Sequence, residues 1–348
     1  MAQFLALLFL LKKLMFKELR SFYSVRFNNF LFCILFIMSA GLESRQPKAA
    51  FWSTLFFQIV LLAPLFVTFS VDTQHRLPPE RVATWPLTGT QRLLLSSVSF
   101  ALNPLFVVLF FGYLFWMGLA AGLLFVLLAL VVHGTVYAVG RLPFELRVPA
   151  SLSISRTFLR VGGIAQETWR EMQRTLDFWA ALLIAVSGTL YRIFGRVPEP
   201  EAFPILSLFV GIAMSTIGQR MLRLDEGRAL LRYRLLPIAG WKLLVTQDMT
   251  FLIPLAVMVS LLSLRTGVAF GLVAIAVGRY PSLMQRANQR RWRFVGGDPR
   301  FGVAQVLLGG LAGIGAARTG LWVLADAFAI YVVSIFWGEL LWKRSLTA

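Results

Sequence analysis

Charge is scarce in this chain. Of its 348 residues only 14% are charged, while 58% are hydrophobic, against roughly 25% and 45–50% in a soluble globular protein. The deficit excludes an ordinary cytoplasmic enzyme. The 31 phenylalanines and 10 tryptophans exclude disorder, because so much apolar surface has to be buried somewhere. Cysteine is nearly absent: Cys33 stands alone, which rules out a disulfide framework and a thiolate metal site. Histidine occurs twice, at His75 and His133, on different elements, so a paired-histidine metal motif is missing. None of the six lysines follows a glycine, and a P-loop needs that pair to meet phosphates at a helix start. The Asp-rich pairs that hold magnesium diphosphate in membrane prenyl transferases are missing too. Neither catalysis nor a cofactor is expected within this chain.

Long apolar runs fill the space the charges leave. Leu93 to Gly140 contains no Asp, Glu, Lys or Arg over 48 residues; as helix that is about 72 Å, or two crossings of a hydrocarbon core about 30 Å thick. Further runs lie at 27–42, 51–70, 178–194, 202–219, 243–263, 266–278, 302–317 and 319–341. Together they predict an all-α polytopic membrane protein with about ten spans. The run at 266–278 is the shortest, and Arg265 beside Thr266-Gly267 predicts a tight outer turn before it.

The 34 basic residues set the orientation. With the N-terminus in the cytosol and ten crossings, 28 of them fall on inner segments. Arg45, Lys48, Arg192, Arg196, Arg265 and Arg318 fall outside. Such sorting follows the positive-inside rule and predicts cytosolic N- and C-termini. The net charge of +18 thus belongs to topology and to membrane lipids with anionic headgroups, and implies no nucleic acid. Phe4–Leu11 precedes its charges, unlike a secretory signal. Lys13, Lys17, Arg20 and Ser24 lie opposite Leu14, Phe16, Leu19 and Tyr23, which reads as an amphipathic helix at the inner interface.

Two cytosolic inserts repeat one pattern. Asp72 through Arg81, Trp85, Pro86 and Gly89 leads into Arg92-Leu93-Leu94. Asp225-Glu226-Gly227-Arg228 through Leu231, Leu235, Pro237 and Gly240 leads into Lys242-Leu243-Leu244. Pro104 and Pro254 follow at similar offsets inside the next spans, which predicts a repeated kink. Glu167, Arg170, Glu171 and Arg174 form a second interfacial ladder. The chain divides accordingly into two parallel repeats. An N-terminal repeat at 1–142 carries spans 1–4, a connector with the second elbow helix occupies 143–177, and a C-terminal repeat at 178–348 carries spans 5–10.

An interfacial helix, two spans, a short insert and four more spans resemble the exporter-type (ABC-2-like) permeases of ABC transporters. The likeness is fullest over 163–348. It implies a permease subunit in a bacterial inner membrane, coupled to a separate ABC ATPase subunit, itself a dimer, that binds ATP and Mg. The implied coupling residues are Asp72, Arg81, Trp85 and Pro86 in one insert, and Asp225, Glu226, Arg228, Leu231, Leu235 and Pro237 in the other. Typical members carry six spans and one insert per chain and act as dimers. Ten spans and two inserts leave a homodimer and a pseudo-dimer within one chain both open. Two other classes compete: an ion- or proton-coupled secondary transporter, and a membrane assembly protein. The inserts themselves also read as solvated loops whose arginines fix topology.

Inside the spans two carboxylates stand out, Asp326 and Asp248. A charge near mid-bilayer costs about 2.5–3.5 kcal/mol and should face protein or water; Asp326, with Arg318 as a candidate partner, would carry the proton-coupled alternative. Glu339 and Lys343 have i,i+4 spacing and predict an interfacial pair. Gly118/Gly122, Gly267/Gly271 and Gly309/Gly313 predict close helix packing. His133 reads as a packing histidine. The inner segment 279–300, with Arg286, Arg290, Arg291 and Arg293 around Trp292, reads as a topology determinant.

Overall fold

The computed structural model describes residues 9, 13, 28–30, 32–33, 64–67, 88–139, 162–194, 199–223, 239–284 and 294–347. Their regular elements are helices: α1 Gly89–Ala101, α2 Pro104–Met117, α3 Leu119–Val139, α4 Gly162–Gln173, α5 Leu176–Phe194, α6 Ala202–Gly218, α7 Gly240–Val259, α8 Leu264–Met284, α9 Pro299–Thr319 and α10 Leu321–Thr347. Six of them, α3, α5 and α7 to α10, are long and apolar enough to cross a membrane. The broken pair α1–α2 makes a seventh candidate, and α6 is a shorter apolar helix. Helices suit this role because each satisfies its own backbone polar groups, which lipid cannot do. The runs at 27–42 and 51–70 lie largely outside the described residues.

Contacts divide the chain into two units, one of 1–25 with 37–152, the other of 26–36 with 153–348. In the first unit Thr88 and Gln91 cap α1 reciprocally, as Thr-x-x-Gln sequences do. Asn103 and Pro104 break α1 from α2 with a bend of 64°, because proline drives the residue before it out of helical geometry. Gly118, at φ 87°, separates α2 from α3 in a conformation that glycine adopts without strain. Phe66, Phe106, Tyr113 and Phe125 form a buried aromatic cluster. His133 stacks on Phe100 and hydrogen-bonds Ser96, the packing role expected of it.

In the second unit α5 to α10 alternate in direction. The starts of α5, α7 and α9 share one end with the ends of α6, α8 and α10, as the pairs Gly240–Trp342 and Gln305–Ser215 require. The run at 266–278 proves to be the central helix. α8 has 21 residues, packs against α6, α7, α9 and α10, and 72% of its span is buried. Phe270 lies wedged between two glycines. A Cβ on Gly211 of α6 would come within 2.5 Å of its ring, and one on Gly309 of α9 within 2.9 Å. Gly267 fits against Val259, and Gly313 against Leu208 and Thr266. Gly267/Gly271 and Gly309/Gly313 are therefore packing seams within the chain.

One expectation needs correction. Pro104 opens a new helix, whereas Pro254 sits inside a continuous α7, so the two prolines do not produce one repeated shape. Asn103 precedes the first and ends the turn, while the second is carried through by helix on both sides. Arg192, assigned to outer topology, is also structural: it donates to the Leu261 and Leu262 carbonyls and lies 5.0 Å from the Phe203 ring centroid. It thus satisfies carbonyls beyond the end of α7.

Candidate functional site

The insert residues Asp72, Arg81, Trp85, Pro86, Asp225, Glu226, Arg228, Leu231, Leu235 and Pro237 lie outside the described residues. What is described is the masonry on either side of the second insert. Leu222, in the turn after α6, shares a buried cluster with Leu243 and Leu244 of α7, Leu283 of α8, and Leu341 and Trp342 of α10. Ile164 of α4 packs on the same cluster. Gly240 begins α7 against the Trp342 indole, so close that a Cβ would meet Cδ1 at 2.6 Å. α4 lies against α7 and α5, and its acid–base ladder forms as i,i+3 pairs, Glu167–Arg170 and Glu171–Arg174. The two ends of the insert therefore root in one apolar block.

About two turns further along α7 lies a buried ion pair. Arg279 of α8 donates from Nη1 and Nη2 to Asp248 Oδ1 and Oδ2 at 2.9 and 2.7 Å. Tyr331 of α10 donates its hydroxyl to Oδ2 at 3.0 Å, and Ser334 lies 3.5 Å from Nη2. The bidentate fork matches the planar guanidinium to the carboxylate. Its partners span three helices and neutralise a charge that hydrocarbon would not accept alone. Asp248 therefore faces protein, and Arg279 belongs to a span rather than to the inner segment 279–300. The Arg279 Nε and both polar atoms of the neighbouring Gln247 side chain are buried without a hydrogen-bond partner.

A second polar group closes the same end of the unit in two layers. In the inner layer Gln305 accepts from Asn29 and Gln219 and donates to the Ser215 and Ala274 carbonyls. Asn29 also donates to Ser215 and Thr216. The outer layer joins Asn28, Asp177 and Val295, beside Arg220 on the Gly296 carbonyl. Sequence reading passed these residues over, since lone Asn, Gln and Ser in apolar runs give no pattern; Asn28-Asn29 at the head of the run at 27–42 was the one available signal.

Asp326 is different. Its side chain is exposed, five residues after the start of α10 at Leu321, or about 7.5 Å from that end. Of the two surroundings expected for it, protein or water, it does not meet protein within this chain, and among the described residues no ion pair links it to Arg318. Its position near the helix end explains how a carboxylate with no ion-pair partner among the described residues is tolerated, since the insertion penalty falls toward the interface. Glu339 and Lys343 do pair, at 3.2 Å. Among the described residues no group of His, Cys, Asp and Glu could hold a metal ion.

Searches of protein families, curated proteins and solved structures find no match to this chain. Helix length, hydropathy and the buried charge pair define its class directly: it is a multi-pass α-helical membrane protein.

Proposed function

We propose that this chain is the permease subunit of an ATP-driven exporter, moved by separate ATPase subunits that dock on its cytosolic inserts. The observation that carries this reading is the block around the insert at 224–238. Leu222 on one side and Leu243 and Leu244 on the other pack into one cluster with the ends of α8 and α10. A push on a segment rooted in this way reaches α6, α7, α8 and α10 together, because a close-packed interior transmits displacement instead of absorbing it. A loop that only fixed topology would need no such footing. The interfacial helix α4, packed beside α7, supports the same reading.

In this account the chain crosses a bacterial inner membrane ten times as two parallel repeats, with both termini in the cytosol. ATP and Mg belong to the partner, and its closure tilts α5, α6 and α7 to change access. The gradient-driven alternative rests on Asp326, and transport in vesicles without nucleotide that is lost in Asp326→Asn would favour it over this reading. Replacing Leu231 and Leu235 by Asp tests the proposal. Co-purification with a P-loop ATPase should be lost while the detergent-solubilised chain stays monodisperse. Undiminished co-purification of that ATPase would overturn the coupling role, and so would finding no ATPase with the unaltered chain.

A further inference from the structure

The segment Phe294–Asp298 crosses the end of the second unit without forming a helix, and side chains from elsewhere hold its backbone. The Val295 N–H donates to Asp177 Oδ2 at 2.7 Å, and its carbonyl accepts from Asn28 Nδ2 at 2.8 Å. That same Nδ2 donates to Asp177 Oδ1 at 2.7 Å, closing a ring of three residues far apart in sequence. Arg220 donates to the Gly296 carbonyl at 2.9 Å, and the Asp298 N–H donates to Gln219 Oε1 at 2.8 Å. Phe294 stacks on Phe30 with centroids 5.1 Å apart. Asp177 is the centre of this arrangement: fully buried, at the second position of α5, it holds both the strap and the turn at Asn28.

Among the described residues no cation pairs with Asp177. On the surrounding elements Glu171 of α4 and Arg174 in the turn after it pair with each other, and Asp248 of α7 pairs with Arg279. Arg220 is bonded to Gly296, and Asp298 caps Arg300 at the start of α9. The segment at 28–33 contributes no charge, and its one titratable group, Cys33, lies against the Phe209 carbonyl. What stabilises the buried carboxylate is therefore the N–H donors of Asn28 and Val295, its own backbone N–H and the positive end of the α5 dipole. We propose that Asp177 is a proton-operated latch, shut when ionised and released when protonated. A proton added to one carboxylate oxygen turns that acceptor into a donor facing an N–H. Either Asn28 or Val295 then loses its acceptor in a buried site, and an unmet buried donor favours opening to water. The strap 294–298 and the Asn28 turn come free together, whatever the chain transports.

Cysteine accessibility in membranes containing the full chain tests this. With Cys33→Ser removing the native thiol, Val295→Cys reports the buried strap and Arg300→Cys, an exposed position, reports intrinsic thiol reactivity at each pH. The ratio of their maleimide labelling rates should rise about tenfold between about pH 8 and about pH 5. In Asp177→Asn it should be high and flat across that range. In Asn28→Asp, which sets two carboxylates together, it should already be raised at about pH 8. A ratio that stays low throughout with Asp177 intact overturns the latch, even if Asp177→Asn fails to fold. A rise with acid that persists in Asp177→Asn assigns the effect to another group and overturns it equally.

Discussion

Asp248 and Arg279 show what a residue does when its surroundings deny it water. Neither charge alone is tolerable among α7, α8 and α10, yet together they bring those helices into register through four polar groups. Removing one partner should be severe: Arg279→Met or Asp248→Leu is expected to cost about 3–5 kcal/mol, since the remaining charge is buried unpaired. The double variant Asp248→Leu/Arg279→Met should recover most of that loss, because an apolar pair of similar volume can replace a buried ion pair at little cost. Thermal unfolding of the detergent-solubilised chain checks both statements, and a double variant no better than the singles would contradict them. Half of this pair was legible. Asp248 stood out as a carboxylate in an apolar run, whereas Arg279 follows Gly278 at the end of another run and looked like the first residue of a loop. Spacing along one chain does not reveal that two helices bring opposite charges together.

For the helices, hydropathy gave α5, α7, α9 and α10 nearly as the structure has them, because lipid-facing helices must be apolar over their length; α3 was only the unmarked later part of the run at 93–140. It undervalued α8, whose apolar run is shortened by Arg279. A helix surrounded by protein is free to carry a paired charge and many glycines, so the most central helix has one of the weaker hydrophobic signals. The glycine seams were legible as pairs at i,i+4, but Gly211, which faces Phe270 from α6, belongs to no such pair. Gly309 and Gly310 make a matched test of the seam at α9. A Cβ at Gly309 meets the Phe270 ring, while one at Gly310 meets nothing within 4 Å. Gly309→Leu should therefore destabilise by about 1–3 kcal/mol through overpacking. Gly310→Leu should be neutral or slightly stabilising, since it adds helix propensity without a clash. Equal melting temperatures for the two variants would refute the wedge.

For the whole molecule, the second unit is not continuous in sequence. Residues 26–36 belong with 153–348, tied in by Asn28 and Asn29. No repeat or hydropathy pattern gave this, because the bonds join single polar residues across nearly 150 to nearly 280 positions. The inserts, in contrast, were visible as charge-rich interruptions between apolar runs, and it is the footing of the second in an apolar block that only the structure supplies. That footing is the centre of the functional account, and photo-cross-linking from position 231 in native membranes addresses it most directly. A photoreactive residue at Leu231 should capture a protein whose sequence contains a P-loop, with a yield that changes when ATP is added. Adducts to lipid alone, or none in either condition, would contradict the account.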